Sequence, residues 1–388
     1  MERHFVYADN SATTPVTERV FKAMLPYLTT QYGNPSGRYS KGREAKKALR
    51  EARKTIAASL GAKPEEVFFT SGGSESDNWA IKGAALSAID TDKRHIITTA
   101  IEHHAVLNTC KALRSLGFET TVLPVDKHGF VDPKDVKRAI RHDTLLVSIM
   151  AANNEVGTIE PIDDIGRICM ERNIPFHTDA VQAVGHIPFD FDNQPISMLS
   201  LSGHKLGAVK GTGALLVKKG VPIVPLVDGG GQESGMRSGT ENVAGCVGLA
   251  VAINDSCRDV YAESSRESRL RNRLIRGLLT IPGTVLNGST ESRLCNNVSV
   301  CFEGISGGDL LTGLDNEGIC ASAGSACSAG SSSPSHVLTA MGISPALAAG
   351  SLRLTIGRQT TLDDIDYMLS VIPGVVSSLR RGNFYKAL

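Results

Sequence analysis

Short apolar runs alternate with helix-like segments along most of this chain from about residue 45, and this alternation limits the fold more than any other feature. The runs are apolar for nearly their whole length, as expected for strands buried on both faces of a sheet. The predicted strands are Val67–Thr70, His95–Thr99, Thr120–Val125, Leu145–Met150, Pro175–His177, Met198–Leu201 and Ala214–Val217. The predicted helices between them are Glu75–Leu86, His103–Leu116, Pro133–Ile140 and Ile162–Arg172. This order predicts an α/β fold with a mostly parallel, seven-stranded sheet wrapped by helices.

The pattern changes after Gly239. From Glu241 to about Leu279 it predicts one long helical stretch, whose arginine-rich second half is interpreted as a solvated face. Strands predicted at Asn297–Phe302 and Leu352–Ile356 indicate a smaller α/β unit. We therefore expect a large domain over residues 15–255. Residues 1–14 and 256–388 are expected to form a small domain.

Charge and composition exclude several classes of function. The 388 residues include 41 basic and 40 acidic ones, a formal net charge of +1, which gives no reason to expect nucleic acid or an anionic membrane as a partner. The N-terminus has no apolar signal region and no apolar run approaches ~18 residues, so we expect a cytoplasmic protein. The eight cysteines contain no C-x-x-C pair, and no metal site is predicted.

Two predicted strands are followed by a lysine and a carboxylate. Ser202-Gly203-His204-Lys205 follows one strand and Asp179-Ala180-Val181-Gln182 follows another. In a parallel sheet the carboxyl ends of strands meet in the crevice where ligands bind. A lysine amine bonds to an aldehyde and a carboxylate keeps a ring nitrogen protonated, so the pair suits pyridoxal 5′-phosphate (PLP). Taken alone, Lys205 would be read as an ordinary surface lysine.

Three further strand ends carry groups that suit the other parts of PLP. Gly72 and Gly73 lie in a turn of small residues before a helix, which forms either a phosphate cradle or a plain Ser-capped turn. His103 could stack on a flat ring and transfer protons, or lie on the polar surface. The amides of Asn153 and Asn154 could bond a ring oxygen or a carboxylate, or simply form a turn.

Two residues late in the chain suit an amino-acid substrate. Arg353 lies in a predicted strand, where its guanidinium could bind a carboxylate with two hydrogen bonds or lie at the sheet surface. Cys327 lies within residues 321–335, which are mainly Ser, Ala and Gly and have too little apolar bulk to pack. Its thiol is predicted to be an exposed, mobile nucleophile, with an inert linker cysteine as the alternative.

The motifs of this chain resemble those of the NifS/IscS-type cysteine desulfurases, which are fold type I PLP enzymes of the class-V aminotransferase family, along nearly its whole length. The matching segments are Tyr7–Pro15, Tyr32–Ser36, Ser74–Asn78, Glu102-His103, Asn153–Glu155, His177–Gln182, Ser202–Lys205, Gly235–Thr240, Gly324–Cys327 and Arg353. The Gly-Ser-Ala-Cys form resembles the branch with a long cysteine loop. Ser74 stands where the family usually has Thr, and Tyr39 where His is common.

The resemblance implies a role for each matching residue. Lys205 would bond to the cofactor and shuttle protons, Asp179 would pair with the ring nitrogen, and His103 would stack on the ring and assist proton transfer. The other implied cofactor ligands in the same subunit are Gln182, Asn154, Ser74, Ser202 and His204, alongside the Gly73 turn. Thr240 of the partner subunit is implied to complete the set. The implied substrate ligands are Arg353, Asn34 and Asn154, and Cys327 would attack the substrate sulfur.

The expected function is therefore that of a homodimeric, PLP-dependent cysteine desulfurase. It would convert L-cysteine to L-alanine and pass a persulfide from Cys327 to an acceptor such as an iron–sulfur scaffold protein. Two alternatives stay open: another PLP lyase or aminotransferase, including one for selenocysteine, and a catalytically inactive subunit that serves as a scaffold. The sequence does not identify the sulfur acceptor.

Overall fold

A computed structural model describes residues 4–324 and 334–386, and in it strands and helices alternate as the sequence pattern predicts. The strands are β1 (Val6–Tyr7), β2 (Val67–Thr70), β3 (His95–Thr99), β4 (Glu119–Leu123), β5 (Thr144–Ser148), β6 (Phe176–Asp179), β7 (Met198–Ser202), β8 (Gly213–Val217), β9 (Thr284–Leu286), β10 (Asn297–Phe302), β11 (Ile319–Cys320) and β12 (Ser351–Thr355). The helices are α1 (Glu18–Thr29), α2 (Ser40–Leu60), α3 (Gly73–Ser87), α4 (His104–Leu113), α5 (Pro133–Ala139), α6 (Ile162–Glu171), α7 (Val243–Arg258), α8 (Val260–Leu278), α9 (Gly307–Asn316), α10 (His336–Ala340), α11 (Pro345–Ala348) and α12 (Leu362–Lys386). Short 3₁₀ turns lie at Pro64–Glu66, Arg114–Leu116, Gly203–Lys205 and Gln232–Gly235.

Seven strands form the central sheet in the order β2-β8-β7-β6-β5-β3-β4. Strand β8 is antiparallel to both of its neighbours, and every other neighbouring pair is parallel. The other six strands therefore point the same way and end at one edge of the sheet. This confirms the predicted mostly parallel α/β sheet, and it brings the predicted site segments to a common edge.

The strand boundaries agree with the sequence pattern to within a few residues. Strands β2 and β3 have the predicted bounds, whereas β4 ends at Leu123 and not at Val125. The next residue after Leu123 is Pro124, which lacks the N–H needed to continue the ladder. The pattern therefore located each strand, and the proline set where this one stops.

The region after Gly239 differs from its prediction in two ways. Helical geometry is interrupted at Asp259 (φ −103°, ψ 11°), so two helices, α7 and α8, replace one long stretch. The interpretation of the arginine run as a solvated face was wrong for Arg271, which is buried. Its guanidinium donates to the carbonyls of Arg293 (3.1 Å) and Leu294 (2.8 Å). Buried carbonyl groups need donors, and this arginine supplies them.

The smaller sheet has the order β12-β10-β9, with antiparallel pairing throughout. Its core packs β10 and β12 against α8, α9 and α12, and includes Val6, Leu274, Val298, Leu314 and Met368. The division into residues 15–255 and residues 1–14 plus 256–388 stays a prediction. Among the described residues no helix is both long and apolar enough to cross a membrane.

The turn that follows β2 packs against Gly213 of β8, where there is no room for a side chain. This close packing gives a test of the sheet. A Cβ on Gly213 would lie 2.6 Å from Cα of Gly72 and 2.7 Å from the carbonyl oxygen of Leu201. We expect Gly213→Ala to lower the free energy of unfolding by ~1–3 kcal/mol, because the backbone must shift. Denaturant unfolding measures this. In the control Gly308→Ala the new Cβ meets only Ser306 Oγ at 3.7 Å, and equal stabilities for the two variants would contradict the prediction.

Candidate active site

A cavity of about 240 Å³ lies at the edge of the sheet where the parallel strands end. Most of the residues predicted to form the site contribute to its wall. Those that do are Lys205, Asp179, Gln182, His103, Ser74, Gly73, Asn154, Ser202, His204 and Arg353. Residues predicted from six separate segments therefore meet around one space.

Lys205 reaches the cavity from the 3₁₀ turn that follows β7. Its ammonium group donates to the backbone carbonyls of Ser11 and Ala12, the latter at 2.8 Å. Gln182 contacts the same segment, since its Nε2 donates to the Ser11 carbonyl at 3.1 Å. The N-terminal segment thus positions both the amine and the amide at the floor of the cavity.

Asp179, the last residue of β6, is 6% exposed and has a second carboxyl group, that of Asp77, beside it. Burial raises the pKa of Asp179, whereas the electrostatic influence of His103, the hydrogen bond from the Val181 N–H and the charge of Lys205 oppose that shift. Burial also raises the pKa of Asp77 well above its usual range, and the charge of Asp179 adds to the effect. Two carboxyl groups in one dry space do not both ionise readily, so a proton held on Asp77 leaves Asp179 as the charged partner.

A buried hydrogen-bond network lies under these carboxyl groups and joins three strands. His177 bonds Ser148 through Nδ1 (2.8 Å) and Ser200 through Nε2 (2.9 Å). Burial lowers the pKa of His177 to about 3, so the ring is neutral and supplies one donor and one acceptor. The network holds β5, β6 and β7 in register directly below the cavity.

His103 caps the N-terminus of α4. Its Nδ1 accepts a hydrogen bond from the Ala105 N–H at 3.1 Å, which leaves Nε2 to carry the proton of the neutral ring. The neighbouring Glu102 is buried, and its Oε1 accepts from Thr99 Oγ1 (2.7 Å) and the Met150 N–H (3.0 Å). The other carboxyl oxygen of Glu102, Oε2, has no hydrogen-bond partner in the described part of the chain. The cap therefore fixes which ring nitrogen His103 offers for proton transfer.

The turn before α3 has the properties of an anion site. Gly72 and Gly73 begin the helix without any side-chain cap, so its first N–H groups are left for a ligand. Ser74, Ser202 and His204 line the cavity nearby. Burial lowers the pKa of His204 to about 4, helped by the charges of Lys205 and Lys210, so a neutral ring faces the turn.

The glycine turn also provides a test of whether PLP fits. A Cβ on Gly73 would lie 2.6 Å from Val181 Cγ2, so only glycine leaves the turn open beside the cavity. Together with uncapped N–H groups for a phosphate, the cavity offers a lysine for an aldehyde and a buried carboxyl for a ring nitrogen. The donor set therefore fits this cofactor.

Arg353 in β12 closes the cavity on the side away from the sheet and is only 2% exposed. Its NH2 donates to Asp9 Oδ1 (2.7 Å) and its NH1 to the Asn154 carbonyl (3.2 Å), while its Nε is buried and has no hydrogen-bond partner within residues 4–324 and 334–386. The other Asp9 oxygen accepts from Ser322 Oγ at 2.8 Å. Asp9 thus aligns the guanidinium beside the segment that leads towards residue 325.

Among the described residues, two of those predicted to form the site, Asn34 and Thr240, are not part of this cavity wall. Asn34 is exposed and its Oδ1 accepts from the Ser36 N–H at 2.9 Å, and Thr240 is also exposed. Cys327 lies outside the described residues. The roles predicted for all three stay predictions.

Asp77 and Asp9 belong to the site although the sequence analysis assigned neither a role. Both lie inside matching segments, Ser74–Asn78 and Tyr7–Pro15, which is the signal that could have pointed to them. Their functions depend on contacts with residues far away in the chain: Asp9 meets Arg353, 344 residues later. Spacing along the sequence carries no information about such contacts.

Comparison with known proteins agrees with this geometry. The model of the class-V aminotransferase family matches residues 6–368. A cysteine desulfurase IscS from Methanosarcina thermophila is 54% identical over 379 residues, 98% of this chain and 94% of that protein. One from Dictyoglomus turgidum is 49% identical over 382 residues, 98% and 97% of the two chains.

Solved structures are also similar. One described as a NifS-like protein superposes with a TM-score of 0.91 at 40% identity, covering 97% of this chain and all (100%) of the other. Another, SspA in complex with cysteine, gives a TM-score of 0.81 at 39% identity, covering 90% and 98%. The chain therefore belongs to the class-V aminotransferase family and, within it, to the cysteine desulfurases. This confirms the predicted family and fold type.

The protonated state of Glu102 gives a prediction about pH. Burial raises the pKa of Glu102 from 4.5 to about 8. The folded chain therefore keeps a proton that the unfolded chain releases, and stability falls as pH rises through this window, by at most ~1.4 kcal/mol per pH unit. Glu102→Gln removes this ionisation, so its free energy of unfolding should fall less than that of the wild type between about pH 5 and about pH 8.

Urea unfolding of both proteins at the two pH values measures the difference. The exposed Glu171→Gln serves as the control and should follow the wild type. Parallel pH dependence of Glu102→Gln and the wild type would show that Glu102 is ionised in the folded protein.

Proposed function

We propose that this cysteine desulfurase uses PLP held in the described cavity to convert L-cysteine to L-alanine, with Cys327 receiving the sulfur. The observation that carries the proposal is the convergence of Lys205, Asp179 and the uncapped N-terminus of α3 on one cavity. These groups match the aldehyde, the ring nitrogen and the phosphate of PLP, three different chemical requirements that an unrelated pocket would not meet together.

PLP, when bound, supplies an aldehyde that bonds to amines and a ring that accepts electrons from the substrate Cα. Lys205 would hold the aldehyde through its amine and would move protons near the substrate Cα. His103 provides a second proton carrier at Nε2, because its Nδ1 is occupied by the cap bond. Asp179 would pair its carboxylate with the ring nitrogen, and the stronger rise in the pKa of the neighbouring Asp77 favours a proton on Asp77 rather than on Asp179.

Arg353 orients the substrate. Asp9 and the Asn154 carbonyl fix the plane of its guanidinium, and its buried Nε indicates a hydrogen-bonding position that none of the described residues fills. A substrate carboxylate fits this need, since Arg binds carboxylates with paired, charge-assisted hydrogen bonds. The fixed guanidinium lowers the entropy lost when cysteine is bound in the orientation for reaction.

Cys327 is proposed as the sulfur acceptor. The described residues on either side of its segment approach each other at Glu155: a Cβ on Gly324 would lie 3.2 Å from Oε2, and Ser335 Oγ bonds that same oxygen. Glu155 follows Asn154, which lines the cavity. Three residues span at most ~10 Å of extended chain, so position 327 is within reach of the site.

The sulfur transfer is balanced without an external oxidant or reductant. The Cys327 thiolate attacks the substrate sulfur, an S–S bond forms as the Cβ–S bond breaks, and a proton delivered to Cβ completes alanine. The thiol of the enzyme becomes a persulfide. A reductant or an acceptor protein is needed only afterwards, to remove that sulfur.

A second copy of the chain is the proposed structural partner. Phe21, Leu25 and Leu28 lie at helical spacing on α1, and each exposes a large apolar side chain. An apolar face of this kind marks an interface. A homodimer would also account for Thr240, which the resemblance assigns to the cofactor site of the neighbouring subunit.

A sulfur-acceptor protein and a cytoplasmic location belong to the same proposal. All seven cysteines among the described residues are unpaired, as expected where thiols are kept reduced. Another PLP lyase or an aminotransferase would have no use for a nucleophilic Cys327, and a scaffold subunit would not need Lys205 or Asp179.

Lys205→Ala tests the cofactor assignment. We expect the purified variant to lose the covalent PLP adduct that borohydride fixes in the wild type, because no other amine replaces that of Lys205. Mass spectrometry after borohydride treatment measures the adduct. The exposed Lys210→Ala is the matched control and should keep it. An adduct of wild-type yield in Lys205→Ala would remove Lys205 from its role.

Cys327→Ser tests the reaction itself. The variant keeps Lys205, Asp179 and Arg353, so added cysteine should still bind and alter the absorption of the cofactor. A serine hydroxyl is scarcely ionised at neutral pH and is a poor nucleophile towards sulfur, so sulfide release with a reductant should fall to background. Cys320→Ser, in β11, is the matched control and should retain activity. Sulfide release near the wild-type rate from Cys327→Ser would leave a PLP lyase that eliminates sulfide directly.

A further inference from the structure

Three side chains that no part of the proposed reaction uses come together beside a second cavity. They are His186, which follows β6 in the segment after Gln182; Glu267 in α8; and Cys295, just before β10. Cys295 Sγ lies 3.2 Å from Glu267 Oε2 and 3.5 Å from His186 Nδ1, and His186 Nδ1 lies 3.5 Å from Glu267 Oε2. Glu267 is 1% exposed and Cys295 5%.

The separations of these donor atoms suit one metal ion. A tetrahedral zinc ion with Zn–S of ~2.3 Å and Zn–N or Zn–O of ~2.0–2.1 Å requires donors ~3.3–3.6 Å apart. The three observed distances, 3.2, 3.5 and 3.5 Å, lie close to that range, so small side-chain movements would complete a coordination triangle. A thiolate and a carboxylate would also balance the charge of a divalent ion.

Asn296 supplies a further contact of the kind that metal-binding histidines have. Its side-chain amide lies 3.2 Å from His186 Nε2, and its Oδ1 is buried with no hydrogen-bond partner among the described residues. A rotation of the amide by 180° exchanges its oxygen and nitrogen, so that Oδ1 accepts a hydrogen bond from Nε2–H. This fixes the tautomer whose Nδ1 lone pair faces Cys295 and Glu267, as ligand histidines require.

The two remaining requirements are an available carboxylate oxygen and an open position. Arg266 lies on the other side of Glu267, 3.9 Å from Oε1, and leaves Oε2 to the cluster. A cavity of about 90 Å³ is lined by His186, Glu267 and Asn296 and has room for a water molecule as a fourth ligand.

We propose that His186, Glu267 and Cys295 bind one divalent transition-metal ion of the zinc class. The site departs from the sequence expectation of no metal, which followed from the lack of a C-x-x-C pair. Its ligands come from three separate segments, and the ion would tie the segment after β6 to α8 and to the start of β10. The proposal is independent of the desulfurase reaction.

Metal binding to the PLP-loaded protein tests this directly. All variants are made in a Cys327→Ser background, so that the thiol of residue 327 binds no metal. After dialysis against Zn²⁺, elemental analysis should find one zinc per chain. Loading with Co²⁺ should give thiolate-to-cobalt and ligand-field absorption, the latter at wavelengths longer than those of the cofactor.

Substitutions identify the ligands. Cys295→Ser and Glu267→Gln keep the side-chain shapes and should each weaken Zn²⁺ binding by at least ~10-fold, and Asn296→Ala by ~10–100-fold. Only Cys295→Ser should abolish the thiolate-to-cobalt band. Cys169→Ala is the control, because Cys169 is equally buried but lies in an apolar cluster. The cofactor absorption of each variant reports whether it has folded.

Two results would overturn the proposal. One is the lack of stoichiometric Zn²⁺ or Co²⁺ in the Cys327→Ser protein. The other is equal metal content in the Cys295→Ser, Glu267→Gln and Cys169→Ala variants, which would show that the metal binds elsewhere and that the three side chains form a hydrogen-bonded cluster only. Loss of desulfurase activity in any variant is not needed for either conclusion.

Discussion

The burial of Asp179 is the constraint on which the active site depends. A carboxyl group removed from water holds its charge only if cations and hydrogen bonds compensate for the lost hydration. The compensation comes from His103, Lys205 and the Val181 N–H, which bonds Asp179 Oδ1 at 2.9 Å. A negative charge on Asp77 would oppose this compensation, and the raised pKa of Asp77 favours its protonated form. A ligand with a cationic ring nitrogen, as proposed for the cofactor, would add to this compensation.

The proposed cofactor also carries a phosphate, and the backbone provides a candidate site for it. The uncapped N-terminus of α3 would attract this phosphate through its first N–H groups and the helix dipole. This works only because Gly73 and Gly213 leave no side chain between the turn, Val181 and strand β8. In the proposed cofactor site, the phosphate end therefore depends on the space that the glycines leave open, and the ring-nitrogen end depends on the buried charge of Asp179.

Sequence patterns predicted well those features that depend on neighbouring residues in the chain. The strands, and the group at each strand end, follow from local apolar runs and turn residues, and most of the proposed ligands meet in one cavity. Features that depend on distant contacts were missed. Arg271 looked like a surface arginine because nothing nearby announces the buried carbonyls of Arg293 and Leu294. Asp9 and Asp77 acquire their roles only from the three-dimensional packing.

The cluster of His186, Glu267 and Cys295 is an extreme case of the same limitation. Cys295 is 28 residues from Glu267 and 109 from His186, so no motif search of short spacing could join them. Metal motifs in sequences are recognised when ligands share a turn or a helix face. Here the segment after β6 supplies one ligand, and α8 and the segment before β10 supply the other two.

The position of this cluster relates it to the active site. His186 follows Asp179 and Gln182 in one short segment, and Cys295 leads into β10, whose Ser299 pairs with Arg353 of β12. One end of the cluster is therefore joined to the residues proposed to hold the cofactor ring, and the other to the residue proposed to hold the substrate carboxylate. Gln182 and Lys205 line both cavities. The three side chains therefore lie where the segment after β6, helix α8 and the segment before β10 meet, and an ion bound there would join these three segments.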